Sequence, residues 1–402
     1  MALPPVVAVE IGTTKVVALV GEMRDDGYII ISGIGEHGSS GVRKGEITDI
    51  DHVLVCVRGA LAGAEETGQV SINQVHVALG GGHVDSMVSR GTIPIAKPAE
   101  GVTDDDVQQV TEVARAVTLE SDRKIIHSIG QIFYVDGERV GRPIGFEGAN
   151  LGLDMLILHA KASHMRNAVR LFEDIPTTNV ADVAFSGLCS ALAVLTPEQK
   201  EGGVLVIDLG GGTTTYTAYA AGTFAASGAL RLGGDHVTND IALAFNIPRS
   251  QAERLKKEAG SAIAEEIARG TRVEIPSEVG YPARSVSLSG LHTVMHLRMT
   301  EILNMILHDM ERQGILHQLG AGIVLTGGGS QMRGLIKLTE RVFRLPCMLG
   351  RPVGFSGLAA ISERPEYATV AGLIRYAFIN ATREKQRAPS ITRVFKKLFG
   401  NG

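Results

Sequence analysis

The chain has 402 residues, enough for two or three domains that each bury a core. Apolar residues make up 44% and charged residues 20% with no long polar tract, which excludes extensive disorder, and a formal net charge of -4 offers no general field for nucleic acid. Cys56, Cys189 and Cys347 are too scattered for a disulfide framework or a zinc site, the N-terminal residues carry no basic leader, and no apolar run reaches the roughly 18 residues that span a bilayer. The expectation is a protein of a reducing compartment, neither exported nor membrane-spanning, with no nucleic-acid partner.

The first predicted element is an apolar strand from Val6 that ends in Glu10 and is followed by Gly12, Thr13, Thr14 and Lys15, then by the β-rich run Val16 to Val20. About two hundred residues later the pattern returns: Val204 to Asp208, then Gly210, Gly211, Gly212 and Thr213, then Thr215 to Tyr219. Each copy reads as strand, tight turn and returning strand. Glycines let a turn backbone approach a ligand closely, and its amides with the Thr hydroxyls make phosphate donors. An acid at the strand end, Glu10 or Asp208, can hold Mg²⁺, usually through water. One such hairpin is weak as a signal, because Gly-rich turns are common; two in tandem register are specific.

Between the copies, Thr103 caps a predicted helix whose first turn carries Asp104, Asp105 and Asp106, with Val107, Val110, Val113, Ala114 and Val117 as its apolar stripe. Strand-like runs flank it at 86–95 and 153–159, giving a compact βαβ-type module. After the second hairpin comes Gly234, and then a predicted helix 250–260 with Ser250 as its cap, Gly260 as its stop, and Glu253 and Lys256 on one face. Met295, Met299, Ile302, Leu303, Ile306 and Met310 share helical spacing and read as core, with Arg298, Glu301 and Asn304 interrupting. A third cluster, Gly327, Gly328 and Gly329, follows an apolar strand and precedes a helix expected from about Gln331; a backbone bare of side chains can lie against an adenosine there.

Beyond Tyr376 the run 380–389 is polar and closed by Pro389, as a flexible tether would be. In the final segment, 390–402, Ile391, Val394, Phe395, Leu398 and Phe399 fall on one helical face and Arg393, Lys396 and Lys397 on another, with Ser390 placed to cap. A helix this short needs an apolar surface to form, and an anionic bilayer supplies one. Docking on its own domain or on a protein partner is the competing explanation. No Gly-x-Ser-x-Gly elbow is present, so no catalytic residue is assigned, and His159 and His164 lack an acidic partner at ligand spacing in sequence.

In this order the motifs resemble those of the actin, sugar-kinase and heat-shock chaperone superfamily, and 10–15, 45–49, 75–83, 206–213, 234–242 and 321–328 together are similar to the FtsA family along nearly the whole chain. That resemblance implies an α/β fold of the duplicated actin-like (ribonuclease H-like) type, two lobes around a cleft that takes ATP and Mg²⁺. It implies a first lobe, IA, from 1–82 and 162–200, an inserted IC (SHS2-type) subdomain at 83–161, and a second lobe, IIA and IIB, at 201–379, with IIB at 236–318. Gly12 to Lys15, Gly210 to Thr213, Gly234, Glu253, Lys256 and Gly327 to Gly329 would contact the nucleotide, and Asp208 and Glu10 the metal. Arg284, Arg298, Glu301 and Asn304 would receive the C-terminal tail of the tubulin homologue FtsZ, and the insert would contact the next copy in a filament. The family implies polymerisation, attachment of FtsZ to the cytoplasmic face of the membrane at the septum, and possible docking of other division proteins. Glu10 stands where actins carry Asp, so at most weak ATPase activity is expected. Two alternatives stay open: a PilM-like pilus-assembly ATPase, which lacks the terminal helix, and a small-molecule kinase, for which Asp182 is the best available base.

Overall fold

A computed structural model describes residues 3–264, 270–277 and 281–387. Two sheets repeat one plan. In the first, Val6–Ile11 pairs antiparallel with Lys15–Met23, which pairs antiparallel with Ile29–Gly38; on its other side Val6–Ile11 runs parallel to Gln74–Leu79, and that strand parallel to Asn179–Phe185. In the second, Val204–Leu209, Thr214–Ala220 and Thr223–Leu230 form the antiparallel half, and Ile323–Thr326 and Cys347–Leu349 the parallel half. Short turns suffice for the antiparallel strands, while the parallel ones need crossovers. Those crossovers carry the helices Ile50–Gly68 in the first sheet and, in the second, the segment that contains Gly234–Phe245, Arg249–Glu258 and Leu288–Arg312.

Helices Ser186–Val194 and Ala368–Arg387 pack against each other between the sheets. Gly372 lies directly on the Cys189 carbonyl, an approach that a side chain would prevent. A continuous core joins the lobes through this pair, including Leu19 and Ala78 of one sheet, Val206 and Val324 of the other, and Phe185, Ile374 and Phe378. The outer face of the second sheet is closed by Met295, Met299, Ile302, Leu303, Ile306 and Met310, all fully buried as their spacing requires.

Residues 84–161 form a separate four-stranded antiparallel sheet, ordered Val84–Pro94, Asn150–Lys161, Arg123–Val135 and Glu138–Val140, with Asp104–Arg115 on one face. Thr103 and Asp106 close a reciprocal capping box at that helix start. The hairpin 123–140 is absent from the βαβ expectation, because its strand is interrupted by His127, Ser128 and Gly130 and shows no clean alternation. Val110 and Ala114 are buried, whereas Val113, at the far edge of the stripe, is 43% exposed.

Other boundaries also differ from expectation. The helix expected at Ser250 begins at Arg249, with Pro248 in the capping position, so Ser250 sits inside the first turn and Ala259, not Gly260, ends it. Proline's fixed φ presets that entry. The third glycine cluster runs into a 3₁₀ turn, Gly328–Gln331, and the α-helix starts only at Leu335. Strand Phe355–Gly357 joins the edge of the first sheet beside Ile29–Gly38, so the chain leaves the second lobe well before 379. Residues 380–387, expected within a tether, continue the helix Ala368–Arg387, since they include no breaker before Pro389. Residues 388–402, including the predicted amphipathic segment, lie outside the described residues. No helix among the described residues is long and apolar enough to cross a membrane.

Candidate functional site

The two hairpins face each other. Gly12 donates its amide to the Lys15 carbonyl at 3.0 Å and Gly210 to the Thr213 carbonyl at 2.9 Å, so both turns close in the same way. A Cβ on Gly211 would crowd the Thr14 hydroxyl, and one on Gly212 the Thr13 hydroxyl. Glu10, Gly12, Thr13, Asp208, Gly210, Thr213, Thr215 and Thr369 line the resulting cleft. Glu10 pairs across its sheet with Val17 and Ala78, Asp208 with Thr215 and Thr326, so the acids occupy matching registers in the two lobes.

Their environments hold them ready for a cation. Asp208 Oδ2 accepts hydrogen bonds from Ser190 Oγ and, at 2.9 Å, from Thr369 Oγ1, one from each helix between the lobes. Burial raises the Asp208 carboxyl above its ordinary range, against those two bonds. Glu10 is pushed up to about 8, first by desolvation and then by the charge of Asp208. Two carboxylates that repel in a desolvated cleft, beside turn amides and Thr hydroxyls, suit a hydrated divalent ion carrying phosphates.

Gly327, with φ 80°, needs the left-handed region, and a Cβ there would overlap the Asp208 carboxylate. Gly329 lies against Leu209, and Gly328 is open toward Glu366. On the other side, Gly234 and Asp235 at the start of Gly234–Phe245 donate to the Gly210 and Gly211 carbonyls at 3.0 and 2.8 Å. Lys256 Nζ reaches the Gly234 carbonyl at 3.1 Å, Thr238 Oγ1 at 2.8 Å and Glu253 at 2.6 Å. This is a partly buried knot, not the fully solvated ion pair that spacing alone would favour. Burial acts to raise the Glu253 carboxyl, but bonds from Lys256 and Thr238 bring it below its usual value.

The Lys15 ammonium is held by Glu36 and lies 4.0 Å over the Tyr367 ring, still close enough for its charge to act on Glu10. Sequence reasoning missed Ser190, Thr369, Glu36 and the lobe-bridging pair Arg231–Glu46. Only the small residues along Ser186–Val194, which permit a close helix crossing, hinted at the first two. Asp182 accepts a hydrogen bond from Tyr376 at 2.9 Å and is not among the cleft residues.

Arg298 and Glu301 pair on Leu288–Arg312, and Arg298 also binds Asp240 through two nitrogens at 2.6 and 3.1 Å. Arg284 donates to the Asn246 carbonyl at 3.1 Å, while Asn304 is half-buried. Leu243 and Leu297 beside them are 75% and 63% exposed, an apolar component that the sequence did not single out. The structure also places Glu46 and His83 next to His164, although no acid stands near His164 in sequence.

Residues 205–372 match the family model described as cell division protein FtsA, and 81–159 the SHS2 domain inserted in it. The chain is 35% identical over 379 residues to the cell division protein FtsA of Escherichia coli K12, covering 92% of this chain and 90% of that one. Identity to the Pseudomonas aeruginosa FtsA is 33% over 372 residues, covering 92% and 88%. Among solved structures it is similar to a chain of the PilM-PilN type IV pilus biogenesis complex (TM-score 0.63, 15% identity, 92% and 98% covered) and to MreB5 of Spiroplasma citri bound to AMPPNP (TM-score 0.54, 15% identity, 96% and 100% covered). At these identities the structural likenesses establish the actin-like fold alone.

Proposed function

The chain belongs to the FtsA family of cell division proteins, and from that premise we propose that it is an ATP-binding adaptor which polymerises and holds FtsZ filaments at the cytoplasmic membrane. The observation that carries the nucleotide reading is the pair of hairpins with Glu10 and Asp208 in matched register across one cleft. ATP phosphates would lie against the turn amides of Gly12 to Thr14 and Gly210 to Thr213, with Mg²⁺ held through water by the two acids. Gly234, Glu253, Lys256 and Gly327 to Gly329 would border the adenosine. Bound Mg²⁺ supplies charge neutralisation for the phosphates. Burial and the Asp208 charge favour the protonated form of Glu10, and a bound cation would favour the ionised form.

FtsZ would dock its tail on the second lobe, where Arg284, Arg298, Glu301 and Asn304 lie near exposed Leu243 and Leu297. Arg298 is already paired with Asp240 and Glu301, so an acidic tail has to displace one of these carboxylates. The insert would contact the next copy in a filament and offers a surface for other division proteins. Attachment to the inner leaflet would come from Ile391, Val394, Phe395, Leu398 and Phe399, with Arg393, Lys396 and Lys397 meeting lipid headgroups. Several weak helices on one filament bind with avidity, so assembly controls membrane residence.

The PilM alternative has fold similarity at 15% identity, against family-level identity to FtsA. A kinase would need an acceptor-facing base, and Asp182 is engaged elsewhere. Liposome flotation of FtsZ with the full chain and with a chain ending at Pro389, each with ATP and Mg²⁺, tests the reading. FtsZ is expected to float only with the full chain; flotation of this protein while FtsZ stays behind refutes the adaptor role.

A further inference from the structure

We propose that Glu46, His83 and His164 form a binding site for one divalent transition ion of the zinc class, at the joint between the inserted module and the first lobe. One ligand atom from each lies within 4.8 Å of the others, and all three side chains line a single cleft. The His83 and His164 rings stack at 4.3 Å between centroids and 14° between planes. His83 is only 3% exposed, and neither of its ring nitrogens has a hydrogen-bond partner. A buried imidazole normally has at least one, so two unpartnered nitrogens beside a second imidazole and a carboxylate call for a ligand.

The donor set selects the ion. Two imidazoles and one carboxylate suit Zn²⁺ and its neighbours, whereas Mg²⁺ and Ca²⁺ favour oxygen. Imidazole ligates through a bare ring nitrogen, and buried His83 keeps both of its nitrogens free of protein partners. Tetrahedral ligation with bonds of about 2.0 Å brings ligand atoms to about 3.3 Å from one another, a closure that side-chain rotation supplies. The fourth position falls to water or to Asn167, one turn beyond His164 and on the same cleft.

The site spans both connections of the insert. His83 immediately precedes the strand Val84–Pro94, and His164 stands in the first turn of Ala162–Glu173, directly after Asn150–Lys161. Glu46 belongs to the short strand Glu46–Ile47, next to Gly45, whose amide donates to Thr13 Oγ1 at 3.1 Å. An ion here would clamp the two joints of the insert onto the segment that contacts the phosphate hairpin. It would also compete with Arg231 of the second lobe, which holds Glu46 in an ion pair.

The test is calorimetric titration of the full chain, stripped with a chelator and held in millimolar Mg²⁺ without nucleotide, using Zn²⁺ alone. The variants are His83→Phe, His164→Ala and Glu46→Gln, with exposed His317→Ala as control, each checked by thermal melting. One Zn²⁺ per chain is expected, weakened at least tenfold by each of the three substitutions and unchanged by the control. If His83→Phe does not fold, the substitutions at partly exposed His164 and Glu46 decide alone. Zn²⁺ binding that survives the His164→Ala/Glu46→Gln double variant at wild-type strength, or a wild-type chain that takes up none, overturns the site.

Discussion

Substituting Glu10 by Gln isolates the electrostatics of the cleft. The Glu10 carboxyl is pushed from 4.5 up to about 8, so across that interval the unfolded chain loses its proton while the native one keeps it. The unfolded state therefore binds fewer protons, and stability falls as pH rises. The Glu10 contribution is complete below pH 4.5 and lost as pH climbs through about 8. Between pH 6 and 8 the linkage amounts to about 2 kcal/mol, from 1.36 kcal/mol per pH unit less the partial ionisation of the native group at the upper end. Urea unfolding of wild type and Glu10→Gln at both pH values, without Mg²⁺, measures it. Other titrating groups contribute to both proteins, so the difference between the two pH dependences belongs to Glu10 and its coupling to Asp208. Wild type should lose about 2 kcal/mol more than the variant, and millimolar Mg²⁺ should shrink the gap, because the cation favours the ionised form. Parallel curves for the two proteins would refute the reasoning.

Lys256→Met takes from half-buried Glu253 the nearer of its two cations, leaving only exposed Lys257 at 3.2 Å; a loss of about 1–3 kcal/mol in urea unfolding is expected, with at least tenfold weaker binding of a fluorescent ATP analogue. Gly327→Ala forces a side chain into φ 80° and onto the Asp208 carboxylate, so a cost of about 1–3 kcal/mol and loss of nucleotide binding should appear together, whereas Gly328→Ala, whose Cβ meets only Glu366 Cβ at an ordinary 3.7 Å, should leave stability within about 0.5 kcal/mol. Arg298→Ala should weaken an FtsZ tail peptide at least tenfold in a direct binding assay while nucleotide affinity stays unchanged, because Arg298 contacts Asp240 and Glu301 rather than the cleft.

The sequence was most informative where one chemical constraint falls on neighbouring residues. An acid followed within a few positions by Gly and Thr can be read from the string, and its repetition after two hundred residues exposes the duplication, which the matching sheet plans confirm. The buried stripe from Met295 to Met310 was legible for the same reason: helical spacing alone defines it. The failures involve partners that are distant in sequence. Ser190 and Thr369 are 179 residues apart and meet only because two helices cross at Asp208. Glu46 lies far from His83 and His164 in sequence, and only the fold brings them together. Lys15 could be placed at the hairpin by adjacency, but its pairing with Glu36 on the neighbouring strand could not be read from the string.

The same crossing supplies a physical route from the cleft to the chain's end. Thr369 is the second residue of Ala368–Arg387 and bonds Asp208 directly. That helix has 20 residues, about 30 Å at 1.5 Å per residue, and its last residue stands two before Pro389 and the segment with the amphipathic pattern. Its first half is buried against the first sheet and against Ser186–Val194, where close packing transmits a displacement instead of absorbing it. A cation bound at Asp208 would act on its bonds to Ser190 and Thr369 at once, and these belong to the two helices packed against each other between the sheets. On the proposed reading, the helix that would feel a nucleotide at its head is the one that precedes the amphipathic segment in sequence. If nucleotide and membrane binding prove to be coupled, this helix pair is a sufficient connection, and Thr369→Val, which keeps the shape and removes the bond to Asp208, should weaken ATP-dependent liposome flotation of the full chain; unchanged flotation would refute the route.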